Sequence, residues 1–97
     1  MRYKQVKVDN TIISNPSQIN KVLTMNNLSW LIDSEIEEAE FEIKNKTIIW
    51  TNGNFNAGKW HYGVWQFGNF KGIWENGIWE NGNFEGTWKS GIGNPGK

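Results

Sequence analysis

The chain has 97 residues, a formal charge of zero and no cysteine; only 37% of residues are hydrophobic, yet seven are Trp, five Phe and two Tyr. That length supports one domain with one modest core, and so many aromatics in a Gly-rich chain argue against both a helical bundle and a disordered polymer. Lack of cysteine removes disulfides, thiolate chemistry and Cys-bound zinc and suits a reducing cytoplasm, and with no apolar run near about eighteen residues neither a membrane span nor a signal peptide is expected.

Residues 1–32 are net basic, with Arg2, Lys4, Lys7 and Lys21 against Asp9. Residues 33–47 are net acidic, with Asp33, Glu35, Glu37, Glu38, Glu40 and Glu42 against Lys44 and Lys46. No long basic face results, so nucleic acid is not an expected partner, because phosphate affinity rests on clustered Lys and Arg. In chain order, Tyr3–Val8 and Thr11–Ser14 read as a hairpin around Asp9-Asn10. Asn15 or Ser14 then caps a short helix that runs to Met25, with Pro16 in its first turn and Ile19, Val22 and Leu23 as its stripe. Leu28, Trp30, Leu31 and Ile32 add an apolar patch. A hairpin over 39–51, turning at Asn45-Lys46, pairs Ile43 with Ile48 and Phe41 with Trp50. The single domain over 1–97 thus divides into an N-terminal hairpin and helix segment (1–38), the leading hairpin (39–51), a repeat array (50–92) and a tail (93–97).

The array obeys one rule: glycine, any residue, aromatic, then one or two more residues. From Phe55 to Trp88 the aromatics are spaced 5, 5, 5, 4, 5, 5 and 4, a true internal repeat that fits no helical face. Asn52-Gly53, Asn76-Gly77 and Asn81-Gly82 are preferred pairs for two-residue hairpin turns. Such turns set Trp50 opposite Phe55, Trp74 opposite Trp79 and Trp79 opposite Phe84. The four-residue steps, Phe70-Lys-Gly72-Ile-Trp74 and Phe84-Glu-Gly86-Thr-Trp88, read as longer strands with Gly between two rings on one face. A fourteen-residue unit emerges, from Asn69 to Gly82 and again, more weakly, from Asn83 to Gly96, where Gly93 and Pro95 end the array. The expected fold is therefore mostly β: an antiparallel meander of short hairpin-linked strands with a small N-terminal helical segment. The alternative is a β-solenoid with a strand per five residues, which bulky Trp at each inward position and the four-residue steps disfavour. About nine strands at ~4.8 Å spacing make a sheet roughly 40 Å wide, more than one short helix can cover. Strong curling together with self-association is expected to bury the rings.

Phe70-x-Gly72-x-Trp74-x-Asn76-Gly77 and Phe84-x-Gly86-x-Trp88-x-Ser90-Gly91 resemble the first half of a MORN repeat, aromatic-x-Gly-x-Trp-x-x-Gly. The array is also similar to Trp-Gly repeats in small proteins of large tailed phages. The resemblance spans about residues 48–92. It implies β-hairpins and an attachment function, to protein or membrane, and a host-cytoplasmic location if the chain is phage-encoded.

No residue set carries chemistry. His61 is the single histidine and lacks co-ligands for a metal or partners for a triad, so no cofactor and no enzymatic activity are expected. Glu38, Glu40 and Glu42 share one strand face, and Glu75, Glu80 and Glu85 line the outer face of the array, as solvated charges that discourage aggregation. Tyr62 and Phe67 break the rule of the array by standing where Asn52, Asn76 and Asn81 stand elsewhere. With Trp60, His61 and Trp65 they form the candidate binding patch, since Trp and Tyr dominate interface energetics. The expected function is recognition of another protein through the aromatic-rich sheet, as a phage inhibitor or modulator of a host protein. A carbohydrate-binding or structural virion module and a lipid-surface scaffold are the alternatives.

Overall fold

The structure, a computed structural model, describes residues 1–95; the last two residues of the 93–97 tail lie outside the described residues. Strands β1 (Tyr3–Val8) and β2 (Thr11–Ile13) form the expected N-terminal hairpin, with Asp9 and Asn10 both at positive φ, as a tight two-residue reversal needs. Helix α1 (Pro16–Met25) starts where the Asn15 side chain accepts hydrogen bonds from the Ser17 and Gln18 backbone N–H groups, and buries Ile19 and Leu23. A single-turn helix, α2 (Ser29–Ile32), follows. Its C-terminal carbonyls are held by the Arg2 guanidinium, which donates to Leu31, Ile32 and Ser34 oxygens at 2.7–2.9 Å.

Strands β3 (Glu35–Lys44) and β4 (Thr47–Ala57) form the second hairpin in the expected register, Ile43 with Ile48 and Phe41 with Trp50. Its turn residues Asn45 and Lys46 also have positive φ. Strand β1 joins the other edge of β3 in parallel. Both long strands run beyond the expected hairpin: β4 continues through Asn52-Gly53 to Ala57, and Phe55 lies opposite Ile36. Trp50 and Phe55 are therefore on one bent strand, not on two strands joined by a turn.

Seven two-residue strands make up the array: β5 (Lys59–Trp60), β6 (Val64–Trp65), β7 (Asn69–Phe70), β8 (Ile73–Trp74), β9 (Ile78–Trp79), β10 (Asn83–Phe84) and β11 (Thr87–Trp88). None pairs with its neighbour in sequence. Trp50 pairs in parallel with Trp65 and Trp65 with Trp79; Phe55 with Phe70 and Phe70 with Phe84; Trp60 with Trp74 and Trp74 with Trp88. The partners are fourteen or fifteen residues apart, three aromatic steps, so the chain winds in three-sided coils. The antiparallel meander is corrected on this point. The winding follows the parallel logic of the alternative, but it is not a closed solenoid. Its first ladders grow from the antiparallel β3–β4 hairpin, giving a mixed sheet.

The physical reason lies in the Asn-Gly pairs. A two-residue reversal of the type expected needs positive φ at both central residues. Here Gly53, Gly77 and Gly82 have φ of 112–127°, while Asn52, Asn76 and Asn81 are not among the positive-φ residues. Each Asn Oδ1 accepts a 2.8 Å hydrogen bond from the N–H of the glycine after it. The local result is a corner that redirects the strand without reversing it.

Coiling buries rings on both faces where a flat meander would leave one face bare. The rings form three columns, Phe41–Trp50–Trp65–Trp79, Phe55–Phe70–Phe84 and Trp60–Trp74–Trp88, each stacked at 4.8–5.9 Å with interplanar angles of 6–17°. Rings of adjacent columns meet edge to face, the arrangement their quadrupoles favour. Trp50, Phe55, Trp60, Trp65, Phe70 and Trp74 are all 0% exposed. Curling and the N-terminal part of the same chain together bury these six, and no second subunit is required for them. The N-terminal part seals the first coil: Phe41 stacks on Trp50, Ile36 pairs with Phe55, and Trp30 sets its edge on Trp60 at 5.2 Å.

The parallel register has a direct test, made clean by the absence of native cysteine. Ile73→Cys/Thr87→Cys, adjacent across β8 and β11, should form a disulfide readily on mild oxidation. Glu75→Cys/Ile78→Cys, which flank a corner on different sides of the coil, should stay reduced. Thiol titration of both pairs checks this; the reverse outcome would restore the hairpin register.

Candidate binding surface

Because each ring points inward, the residues before and after it point outward, and the coil presents three outer faces. The residue before the ring is Ile49, Val64, Ile78 and then Ile92 on the first face, where Ile92 continues the ladder through a parallel bridge to Ile78. On the second face it is Asn54, Asn69 and Asn83, whose amides hydrogen-bond down the column at 2.8 and 2.9 Å. On the third it is Lys59, Ile73 and Thr87. The second face is polar and internally satisfied, and the third is mixed. The first carries an unbroken aliphatic stripe, half-buried at Ile49, Val64 and Ile78 and 69% exposed at Ile92. Beyond Ile49 the same row continues across the sheet through Glu42 and Lys7, so charge bounds the stripe at that end.

The five sequence-predicted site residues separate. Trp60 and Trp65 are 0% exposed in the ring columns and belong to the core; inward alternation and coil closure take both out of any binding patch. His61, Tyr62 and Phe67 are on the surface. Tyr62, 57% exposed, and Phe67, 51% exposed, project at the two corners of the first face on the second coil, on either side of Val64. Their counterparts elsewhere are small and polar: Asn76 and Ser90 in one corner column, Asn52 and Asn81 in the other. The contact surface is thus the aliphatic stripe with two aromatic flanks, and the stripe itself was not singled out in the sequence. Its signal was present as Ile49-Trp50, Val64-Trp65 and Ile78-Trp79, aliphatic residues before Trp at the coil spacing.

His61 lies parallel to Trp30, with ring centroids 5.4 Å apart and an interplanar angle of 3°. The pair lines two hollows. One, of about 590 Å3, also takes in Asn27, Ser29, Asp33 and Lys59; the other, of about 310 Å3, reaches Ile48 and Tyr62. The acidic residues of the array do not share a face: Glu80 follows the first column, Glu85 the second and Glu75 the third. Glu75 is 3.9 Å from Lys89, and Glu40 is 3.8 Å from Lys4. Among the described residues, no three His, Cys, Asp or Glu side chains converge as metal ligands, and no helix is long and apolar enough to cross a membrane.

No family model, curated protein or solved structure matches the chain.

Proposed function

We propose that the chain is a non-enzymatic β-repeat protein that binds another protein through the Ile49–Val64–Ile78–Ile92 stripe and the flanking Tyr62 and Phe67. The observation that carries this reading is the pair of large exposed aromatics at turn corners where the array otherwise uses Asn or Ser. Together with a β-branched stripe they make an apolar centre; Thr51, Gln66, Glu80 and Glu42 supply a polar rim, the usual anatomy of a protein interface. Under the resemblance to Trp-Gly repeat proteins of tailed phages, the partner is a host protein that the chain inhibits or redirects in the host cytoplasm.

A carbohydrate reading draws on one feature, the half-buried Trp30 beside the polar hollow of Asn27, Asp33 and Lys59. The buried indoles of Trp50, Trp60, Trp65 and Trp74 offer no platform to a sugar ring.

The test is affinity capture from the native host, run in parallel on wild type, a Tyr62→Ala/Val64→Glu variant and Lys71→Ala on the second face. A protein captured by wild type and Lys71→Ala but reduced at least about tenfold by the stripe variant supports the reading, as expected for loss of a central apolar contact. Equal capture by all three chains removes the stripe as the contact. Tryptophan fluorescence that shifts on adding glycans, and loses that shift in Trp30→Ala, would favour the sugar instead.

A further inference from the structure

Two corners of the array hold a reactive pair of groups close together. At Asn76-Gly77 and at Asn81-Gly82 the asparagine Oδ1 accepts from the N–H of the following glycine at 2.8 Å. The few bonds that join the two groups then keep the glycine nitrogen about 3–3.5 Å from the asparagine Cγ, the spacing of a near-attack arrangement. Glycine has no side chain to obstruct the approach. Among the described residues, neither glycine N–H donates to a backbone carbonyl, whereas the N–H groups next along the coil do: Ile78 donates to Gly63 and Asn83 to Gly68. The acceptor of each glycine N–H is thus a side chain that is itself exposed, and swinging that side chain aside opens the N–H to water.

We infer that Asn76 and Asn81 are sites of spontaneous deamidation, with the folded corner carrying out the ring closure on itself. Hydroxide removes the glycine N–H proton, and the nitrogen attacks the asparagine Cγ. The N–Cγ bond forms and the Cγ–Nδ2 bond breaks. The amide nitrogen leaves as ammonia, taking a proton from water and so regenerating hydroxide. Water then adds to one of the two carbonyls of the cyclic imide. Breaking the new N–Cγ bond leaves an aspartate; breaking the original peptide C–N bond leaves an isoaspartate, its main chain rerouted through the former side chain. Each site consumes one water and releases one ammonia, with no oxidant and no cofactor.

The two products differ in what they do to the coil. The aspartate keeps the backbone, and its carboxylate accepts the same glycine N–H in a charge-assisted bond. The isoaspartate adds one main-chain atom just before a rung, where Gly63 accepts from Ile78 at 2.9 Å or Gly68 accepts from Asn83 at 3.0 Å. That form is expected to unfold at lower urea. Either product adds a negative charge, taking the formal charge from zero to −2 when both sites convert. Asn76 shares a corner column with Tyr62, and Asn81 shares one with Phe67, so the new carboxylates arise at the flanks of the aliphatic stripe. Weaker capture by the aged protein rests on the stripe being a protein contact; the ring closure does not, so either can fail without the other.

The test ages the full chain at mildly alkaline pH beside synthetic peptides of residues 73–79 and 78–84. Peptide mapping by mass spectrometry and an isoaspartate assay follow each site. In the folded chain one ordinary hydrogen bond has to break first, so a corner is expected to convert within about tenfold of the rate in its peptide. Unfolded molecules cannot supply such a rate, since they make up less than about one in a thousand at ordinary stability. Asn54, Asn69 and Asn83 each precede a phenylalanine and are tied to one another by amide hydrogen bonds at 2.8 and 2.9 Å, so they are expected to stay intact. Conversion slowed by more than about tenfold at both corners overturns the inference. So does conversion of Asn54, Asn69 and Asn83 as fast as that of the corners.

Discussion

Replacing Trp65 by alanine is expected to leave most molecules unfolded at room temperature in mild urea. Trp65 is 0% exposed at the centre of the longest ring column. It stacks between Trp50 at 4.8 Å and Trp79 at 5.4 Å, and meets Trp60 and Phe70 edge to face at 5.4 and 5.3 Å. Truncating a fully buried Trp costs about 3–5 kcal/mol through lost transfer energy and the cavity left behind, and the four ring pairs lose their geometric preference as well. Against the ~5–15 kcal/mol that holds a typical domain together, that is a large share. Trp65→Phe should cost much less. The Trp65 Nε1 is buried without a hydrogen-bond partner, as are those of Trp50, Trp60 and Trp74, so phenylalanine removes an unsatisfied donor while keeping a ring in the column. The second column already consists of Phe55, Phe70 and Phe84. Urea unfolding followed by far-UV circular dichroism ranks the variants. A Trp65→Ala protein within about 1 kcal/mol of wild type would show that the ring columns do not hold the fold together.

The same columns explain what was legible in the sequence. The two hairpin turns before residue 50 and helix α1 were readable because their signals are local, whereas the single-turn α2 and the start of β3 at Glu35, four residues before the expected hairpin, were not. Asp9-Asn10 and Asn45-Lys46 lie between alternating strands and do reverse the chain; Asn15-Pro16 does start a helix. The array was legible as a period but not as a topology. Its fourteen-residue unit is the coil length that the structure pairs, Asn69 with Asn83 and Ile73 with Thr87. Asn76-Gly77 read locally as a hairpin because its composition satisfies one. What decides between corner and reversal is non-local: whether Trp74 gains more from Trp79 on an adjacent strand or from Trp60 and Trp88 stacked above and below it at 5.3 and 5.2 Å. Stacking wins without forfeiting the other contact, since Trp74 still meets Trp79 edge to face at 5.6 Å.

The candidate surface was half legible for a related reason. Tyr62 and Phe67 stood out because they break a local rule, and they are exposed. Trp60 and Trp65 were grouped with them by sequence proximity. In a coil, however, residues adjacent in sequence point to opposite sides, while residues one coil apart share a face. That geometry removes the two indoles to the core and brings Ile49, Val64, Ile78 and Ile92 together. Trp30, thirty-one residues before His61 yet stacked on it, carried no local signal beyond belonging to an apolar patch.

Gly77→Ala is the substitution expected to break the winding itself. Two separate demands meet at Gly77. Its φ of 127° lies in a region that side chains rarely occupy, at a strain of about 1–3 kcal/mol for a non-glycine residue. A Cβ there would also sit 2.5 Å from the Gly63 carbonyl oxygen and 3.1 Å from the Gly63 nitrogen. That carbonyl is the one that accepts the Ile78 N–H at 2.9 Å, while the Gly77 carbonyl accepts the Ile92 N–H at 2.9 Å. The added methyl therefore pushes apart two coils at the rung that joins them, and the cap formed by Ile92 and Gly93 moves with it. A loss of about 3 kcal/mol or more follows from strain and displaced hydrogen bonds together. Asn76→Ala, beside it, removes only the 2.8 Å bond from the Gly77 N–H to the Asn76 side chain, worth about 1 kcal/mol. Gly72→Ala separates the two demands at Gly77: Gly72 has no positive φ, yet its Cβ would meet the Gly58 carbonyl at 2.5 Å and the Phe55 ring at 2.8 Å. The expected order of destabilisation is Gly77→Ala first, Gly72→Ala next and Asn76→Ala least, read from urea midpoints at equal slope. In a hairpin meander neither glycine would lie against a carbonyl of the preceding coil, and Gly72, with its ordinary φ, would accept alanine almost freely; a near-neutral Gly72→Ala would therefore count directly against the coil.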